Sequence, residues 1–325
     1  MMIKTGVFGA DFQETNLMNR LQETGKTLLC GIYDPDPDKT VKAANHFSVN
    51  AYTLAGELID NADAICFASP GKKEYEIIKS AIRKSRHIFI ENPVYLTDEE
   101  LLALIKMSSE ANVKVQAGFK ERFHPALKSS VDFISNPMFI ESHRLSEFGK
   151  KGSEISVVLE SMINDIDIIL GIVKSNIKKI SASGISVISD QTDIANARIE
   201  FDNGCVANLT ASRISLNKMQ KIRFFQSNAY ISVDLLNPEV KIASVKEVYE
   251  GNPGNPLFFD LGEKGKKEIT INSPDIPVSD PLSGLLNYFF DNIHFESPNG
   301  NSAERSYTAL NVAYQIMEKI KLTSN

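Results

Sequence analysis

The sequence predicts an α/β chain in two parts: an N-terminal parallel-sheet domain over 1–122, then an α+β domain over 123–325 with a large open, mostly antiparallel sheet. Three observations predict it. Through about residue 120, short apolar runs without alternation take turns with helix-patterned segments, the mark of a parallel sheet covered on both faces. Beyond about residue 178 the pattern becomes period-two alternation with an Asn-Gly turn, a strong hairpin signal. The length, 325 residues, suits two domains of roughly 100–200 residues each.

The elements follow in order. Ile3 to Phe8 is an apolar run ending at Gly9, and Asn16 to Thr24 has helical spacing before Gly25. Leu28 to Tyr33 is a second strand closed by Asp34-Pro35, with a helix over Lys39 to Phe47. Ala62 to Ala68 and His87 to Ile90 are further strands, separated by a helix at Tyr75 to Arg83. Thr97 with Glu100 three residues on has capping-box spacing, so a helix runs over Asp98 to Glu110 before the strand Val113 to Ala117. Val157 to Val173 is a strongly apolar helix. Ala195 to Phe201 and Cys205 to Ala211 flank the turn Asp202-Asn203-Gly204, and Ile222 to Val233 and Val240 to Tyr249 continue the strands. Asn252 to Pro256 and Ser273 to Pro281 are Pro-rich loops, and a closing helix over 303–320 packs back.

Bulk properties narrow the function. Lys+Arg 35 against Asp+Glu 41 gives a net charge of -6, which argues against a nucleic-acid binder with a basic face. No apolar run reaches the roughly 18 residues of a membrane span. Cys30, Cys66 and Cys205 lie far apart in apolar runs, with no metal or disulfide spacing, so no metal is expected and the compartment reads as reducing and cytoplasmic. An open sheet commonly pairs with a copy of itself, so a homodimer or homotetramer is expected.

The motifs GVFGADFQE, YDPDPDK, DAICFASP, HIFIENP, AGFKERFHP and SVVLESMINDIDIIL occur in this order. Together they resemble the glucose–fructose oxidoreductase / inositol dehydrogenase (Gfo/Idh/MocA) family over nearly the whole chain. The resemblance implies a Rossmann-type first domain and NAD(P)-dependent oxidation or reduction at a secondary hydroxyl of a sugar, inositol or sugar nucleotide. It implies a bound nicotinamide, a nearby positive residue and a base for the hydroxyl proton.

Where the family has G-x-G-x-x-G, this chain reads Gly9-Ala10-Asp11-Phe12-Gln13-Glu14. Two readings stay open, a dinucleotide turn with carboxylates where the diphosphate would lie, and a plain strand–helix turn. Asp34, about 20 residues further on, stands where an acid bonds a ribose 2′-hydroxyl and favours NAD over NADP, although Asp-Pro is also a common turn. By the same resemblance Ser69, Pro70, Glu91, Asn92 and Pro93 line the cofactor, with Pro93 a cis or a rigid turn. Asn92 replaces the family lysine and carries no charge.

Many relatives have asparagine where this chain has Lys120, so lysine and asparagine are exchanged between neighbouring strand ends. Lys120 then either returns the missing charge or is a solvated lysine. Arg122 serves structure or a substrate anion. In relatives an Asp and a His four apart face the substrate; here they are Glu160 and Asn164, on one helix face. Glu160 is a substitute base, tunable upward by burial, or with Asn164 only binds a hydroxyl. Asp165 and Asp167 match an acidic pair, Asp165 toward substrate or structure. Two functions follow: a divergent NAD-dependent oxidoreductase on a sugar-like small molecule, or a non-catalytic descendant that binds a ligand or partner without cofactor turnover.

Overall fold

The structure, a computed structural model, describes residues 2–10, 12–68, 70–148, 154–248, 257–260, 262, 265–295 and 302–323, without the side chains of 12–15, 260, 302 and 323. Asp11, Ser69 and the loop 252–256 lie outside the described residues, and of Phe12 only the backbone lies within them. The chain divides into two compact units, Met1–Phe123 with Ser279–Asn311, and His124–Val278 with Val312–Asn325.

The first unit is built from β1 (Ile3–Phe8), α1 (Phe12–Glu23), β2 (Thr27–Tyr33), α2 (Pro37–Phe47), β3 (Asn50–Ala51), α3 (Ala55–Asn61), β4 (Ala64–Phe67), α4 (Lys72–Arg83), β5 (His87–Ile90), α5 (Asp98–Glu110) and β6 (Val115–Ala117). Its described strands form a parallel sheet in the order β3-β2-β1-β4-β5-β6. The order reverses at β1, and ligands in such sheets bind beyond the carboxyl ends of the strands. Asp36 caps α2 through bonds to the amides of Asp38 and Lys39, and Thr97 and Glu100 form the expected reciprocal cap of α5. A 3₁₀ turn, Lys120–Phe123, follows β6.

In the second unit come α6 (Pro125–Ser130), β7 (Phe139–Leu145), a π-helical turn (Val158–Met162) running into α7 (Ile163–Ile172), β8 (Ile177–Ile185), β9 (Ile194–Phe201), β10 (Val206–Ser212), β11 (Met219–Gln226), β12 (Ala229–Asp234), β13 (Glu239–Val248), β14 (Phe258–Asp260) and β15 (Lys266–Asn272). The described strands order as β14-β15-β13-β12-β11-β7-β10-β9-β8; β7 and β10 run parallel and every other pair is antiparallel. One face buries alternate residues, among them Ile140, Ala197, Ile199, Leu209, Ile222, Phe224, Ile231 and Ile242, as the period of two requires.

Two helices complete the chain, α8 (Pro281–Phe295) and α9 (Ser302–Thr323). α8 has no counterpart in the sequence-based expectation. Its Leu282, Leu285, Leu286, Phe289 and Phe290 join a core with Leu17, Met18 and Leu21 of α1 and Phe89 of β5. One strand expectation and one helix expectation are also refined. Ile222 to Val233 is a hairpin turning at Ser227-Asn228 rather than one strand, and Val157 to Val173 is not uniformly α-helical.

Candidate functional site

Gly9 follows β1 with φ +96°, a region where a side chain is strained, and its N–H donates to Tyr33 O at 2.8 Å. The next amide, Ala10, donates to Asp34 Oδ2 at 2.9 Å, while Asp34 Oδ1 accepts from the Asp36 amide at 2.8 Å. The carboxylate is thereby fixed at the carboxyl end of β2, and each oxygen keeps lone-pair capacity for a hydroxyl. It borders a cleft of about 190 Å³ walled by Phe8, Tyr33, Phe67 and Ile77 and lined by Gly9, Pro70 and the acidic Glu74. No lysine or arginine lines it among the described residues.

Further along the same sheet edge, the Glu91 and Asn92 amides donate to Phe67 O and Ala68 O, and the Gly118 amide to Ile90 O. No described peptide bond is cis, so the cis alternative for Pro93 falls; a turn closed from Leu96 N–H to Pro93 O at 3.0 Å holds it instead. The Asn92 Oδ1 is buried without a hydrogen-bond partner. Such an acceptor costs about 1–3 kcal/mol.

Lys120 Nζ lies 2.9 Å from Glu91 Oε1. Burial opposes its charge, but Glu91, by attraction and by the hydrogen bond, with Glu121 and Asp280 beyond, more than offsets burial and raises the pKa. Lys120 is therefore a half-buried ammonium beside the loop that carries Asn92. Arg122 Nη2 donates to Ser306 Oγ at 2.9 Å, and that hydroxyl donates to Ala117 O at 2.6 Å. Arg122 thus ties the 3₁₀ turn to α9 and β6.

In the second unit Glu160 sits on the π-helical turn, a local widening often found at functional positions. Its Oε2 accepts from Arg213 Nη1 at 2.8 Å. Burial raises the Glu160 pKa, and Arg213 only partly reverses the rise. Asn164, on the next turn, donates from Nδ2 to Ser161 O at 3.2 Å. Asp165 is almost fully buried and engaged by Arg144 Nη2 at 2.7 Å, Arg144 Nε at 3.1 Å and Ser142 Oγ at 2.6 Å. Both of its oxygens accept from protein donors; Asp167 is likewise fully buried.

Sequence reasoning missed Arg213 and Asp193. Arg213 is buried and also donates from Nε to Asp193 Oδ1 at 2.8 Å, from Nη1 to Ile155 O and from Nη2 to Ser189 Oγ. The signal was present in the hairpin. Register counted outward from the Asp202-Asn203-Gly204 turn pairs Ser212 with Ile194, and the following pair is Arg213 with Asp193.

A family model described as an oxidoreductase family with NAD-binding Rossmann fold matches residues 3–119. A UDP-N-acetylglucosamine 3-dehydrogenase of Acidithiobacillus ferrooxidans is 30% identical over 215 residues, 66% of this chain and 69% of that one. An inositol 2-dehydrogenase/D-chiro-inositol 3-dehydrogenase of Halalkalibacterium halodurans is 24% identical over 195 residues, 56% of each chain. A solved structure of the A. ferrooxidans dehydrogenase matches with TM-score 0.87 and 24% identity over 99% of both chains. Levoglucosan dehydrogenase in complex with NADH and L-sorbose matches with TM-score 0.80 and 16% identity over 99% of this chain and 97% of that one. At those structural identities the fold is what is shared. Sequence kinship at the level of the first relative, on the same architecture, places the chain in the Gfo/Idh/MocA family of oxidoreductases with an NAD-binding Rossmann fold.

Proposed function

We propose that this protein is an NAD-dependent oxidoreductase acting on a secondary hydroxyl of a sugar or sugar nucleotide. The observation that carries this reading is the 2.9 Å contact of Lys120 with Glu91. It supplies a fixed cation beside Asn92, the position from which the family lysine is missing.

The residues present fit NAD. Asp34 offers a braced carboxylate for ribose hydroxyls, and the apolar walls of the cleft suit an adenine. Two carboxylates lining the cleft, Asp34 and Glu74, oppose a 2′-phosphate and favour NAD over NADP. Gly9, Ala10 and Pro70 border the same space, and Asn92 has its unmatched acceptor at the neighbouring strand end. When bound, NAD supplies the hydride acceptor.

The remaining work falls to side chains of this chain. Lys120, held protonated, donates to the substrate oxygen and stabilises its developing charge, but does not take the proton. In the second unit Glu160 offers a proton acceptor at Oε1, because Oε2 is engaged by Arg213. Asn164 accepts from a substrate hydroxyl at Oδ1, its Nδ2 being turned to Ser161. Arg122 and Asp165 hold the frame. The relative that acts on UDP-N-acetylglucosamine points to sugar nucleotides, the inositol dehydrogenase to cyclic polyols.

NADH formation with UDP-N-acetylglucosamine and with inositols tests the reading. Turnover is expected, with Glu160→Gln reducing it about 10²–10⁴-fold. A second reading, a ligand binder without turnover, is favoured by Asn164, which has no proton-transferring group where relatives carry histidine. NAD binding without turnover on any such substrate supports it.

A further inference from the structure

Arg213 is nearly inaccessible to solvent, yet its guanidinium reaches two carboxylates of opposite character. Nε meets Asp193 Oδ1 at 2.8 Å, and Nη1 meets Glu160 Oε2 at 2.8 Å. Asp193 is fully buried and heavily hydrogen-bonded: its Oδ2 accepts from the amides of Val187 and Ile188 at 2.7 Å and of Ser189 at 3.0 Å, and its Oδ1 from Ser189 Oγ at 2.7 Å. Glu160 is partly exposed and uses one oxygen on Arg213. Arg213 is anchored further by Ile155 O, Thr192 O and Ser189 Oγ, so its planar fork has one orientation.

We propose that Arg213 is a positioning residue for Glu160. One edge of the guanidinium fixes the Glu160 carboxylate, while Asp193 neutralises the guanidinium so that Glu160 keeps its capacity to bind a proton. An arginine without Asp193 would hold Glu160 equally well but would bind it as a permanent anion, a poor proton acceptor near neutral pH. The pairing therefore separates placement from basicity. Burial is the main cause of the raised proton affinity of Glu160; of the charged contributors Arg213 lowers it and Asp193 raises it. On the adjoining α7, Asp165 is engaged by Arg144 and Ser142, and Asp167 is fully buried. The proposal rests on Glu160 being the proton acceptor.

The test is a ¹³C NMR titration of the Glu160 side chain, assigned with Glu160→Gln, in the full chain and in Asp193→Asn, Arg213→Met and Arg213→Lys. The wild-type midpoint is expected above that of an ordinary glutamate. Asp193→Asn is expected to move it down and Arg213→Met up, with Arg213→Lys nearer to wild type, and the acid limb of the kcat/KM profile is expected to follow. A wild-type midpoint at or below the ordinary value overturns the proposal even if every variant fails to fold. So does a midpoint unmoved in the folded variants. Should the midpoint move while Glu160→Gln keeps full turnover, the coupling holds and the assignment of Glu160 as proton acceptor fails.

Discussion

Lys120 Nζ and Glu91 Oε1 stand 2.9 Å apart, joining the loops that follow β6 and β5. The pair puts a cation where two neighbouring strands end, although the residue after Glu91 is Asn92. Replacing Lys120 with alanine removes the donor proposed to stabilise the substrate oxygen, and a fall of about 10²–10³-fold in kcat is expected. Glu91→Gln removes the main influence that raises the Lys120 pKa, so the alkaline limb of the rate profile is expected at lower pH. Steady-state kinetics across pH checks both. The raised pKa also gives a sign for stability: the contribution of Lys120 is present below the ordinary lysine value, about 10.4, and fades as pH rises through its folded value.

Asp165 and Arg144 form a buried ion pair closed by Ser142. Asp165→Ala leaves a buried guanidinium without its carboxylate, and a loss of about 3–5 kcal/mol is expected in chemical denaturation. Were Asp165 instead a substrate ligand with spare capacity, stability would barely change and KM would rise.

Gly118 has φ +148°, and a Cβ there would lie 2.5 Å from Ser306 Oγ and 3.3 Å from Arg122 Nη2. Gly118→Ala is expected to destabilise by about 1–3 kcal/mol, through backbone strain and loss of the Arg122–Ser306–Ala117 tie. Thermal denaturation reads this directly, and Ser306→Ala is expected to be milder because it leaves the backbone unstrained.

Asp193 gives the acid side of the stability curve. Burial alone would raise its pKa, but the amides of Ser189, Ile188 and Val187 and the Ser189 hydroxyl outweigh burial and hold it far below the usual carboxylate range. A depressed folded pKa stabilises fully above the unfolded value, about 3.9, and that stability is lost as pH falls below it. Denaturation below about pH 4 is therefore expected to be less steeply pH-dependent in Asp193→Asn than in wild type.

The parallel sheet was legible because β1, β2, β4 and β5 are apolar runs ended by Gly9, Asp34, the Ala68–Pro70 stretch and Glu91, and local periodicity encodes them. α8 carried apolar spacing at Leu282, Leu285, Leu286 and Phe289, but its Gly284, poor for a helix in isolation, obscured it. That glycine is explained only by tertiary packing, since a Cβ would lie 2.8 Å from the Phe123 Cβ. The exchange of Lys120 and Asn92 is what the family resemblance implies. The Lys120–Glu91 contact was not legible, because it joins residues on different strands. Arg213 escaped because strand register, not local composition, brings it to Asp193. The π-helical turn at Glu160 left no periodic trace, since one turn within an apolar helix changes no spacing that the sequence displays.

The most direct test of the central claim is calorimetric titration of nucleotide-free protein with NAD, NADH, NADP, NADPH and ADP-ribose. Micromolar binding of NAD or NADH, weaker binding of NADP and NADPH, and loss of affinity in Asp34→Ala are expected. No binding of any dinucleotide up to millimolar concentration would contradict the account.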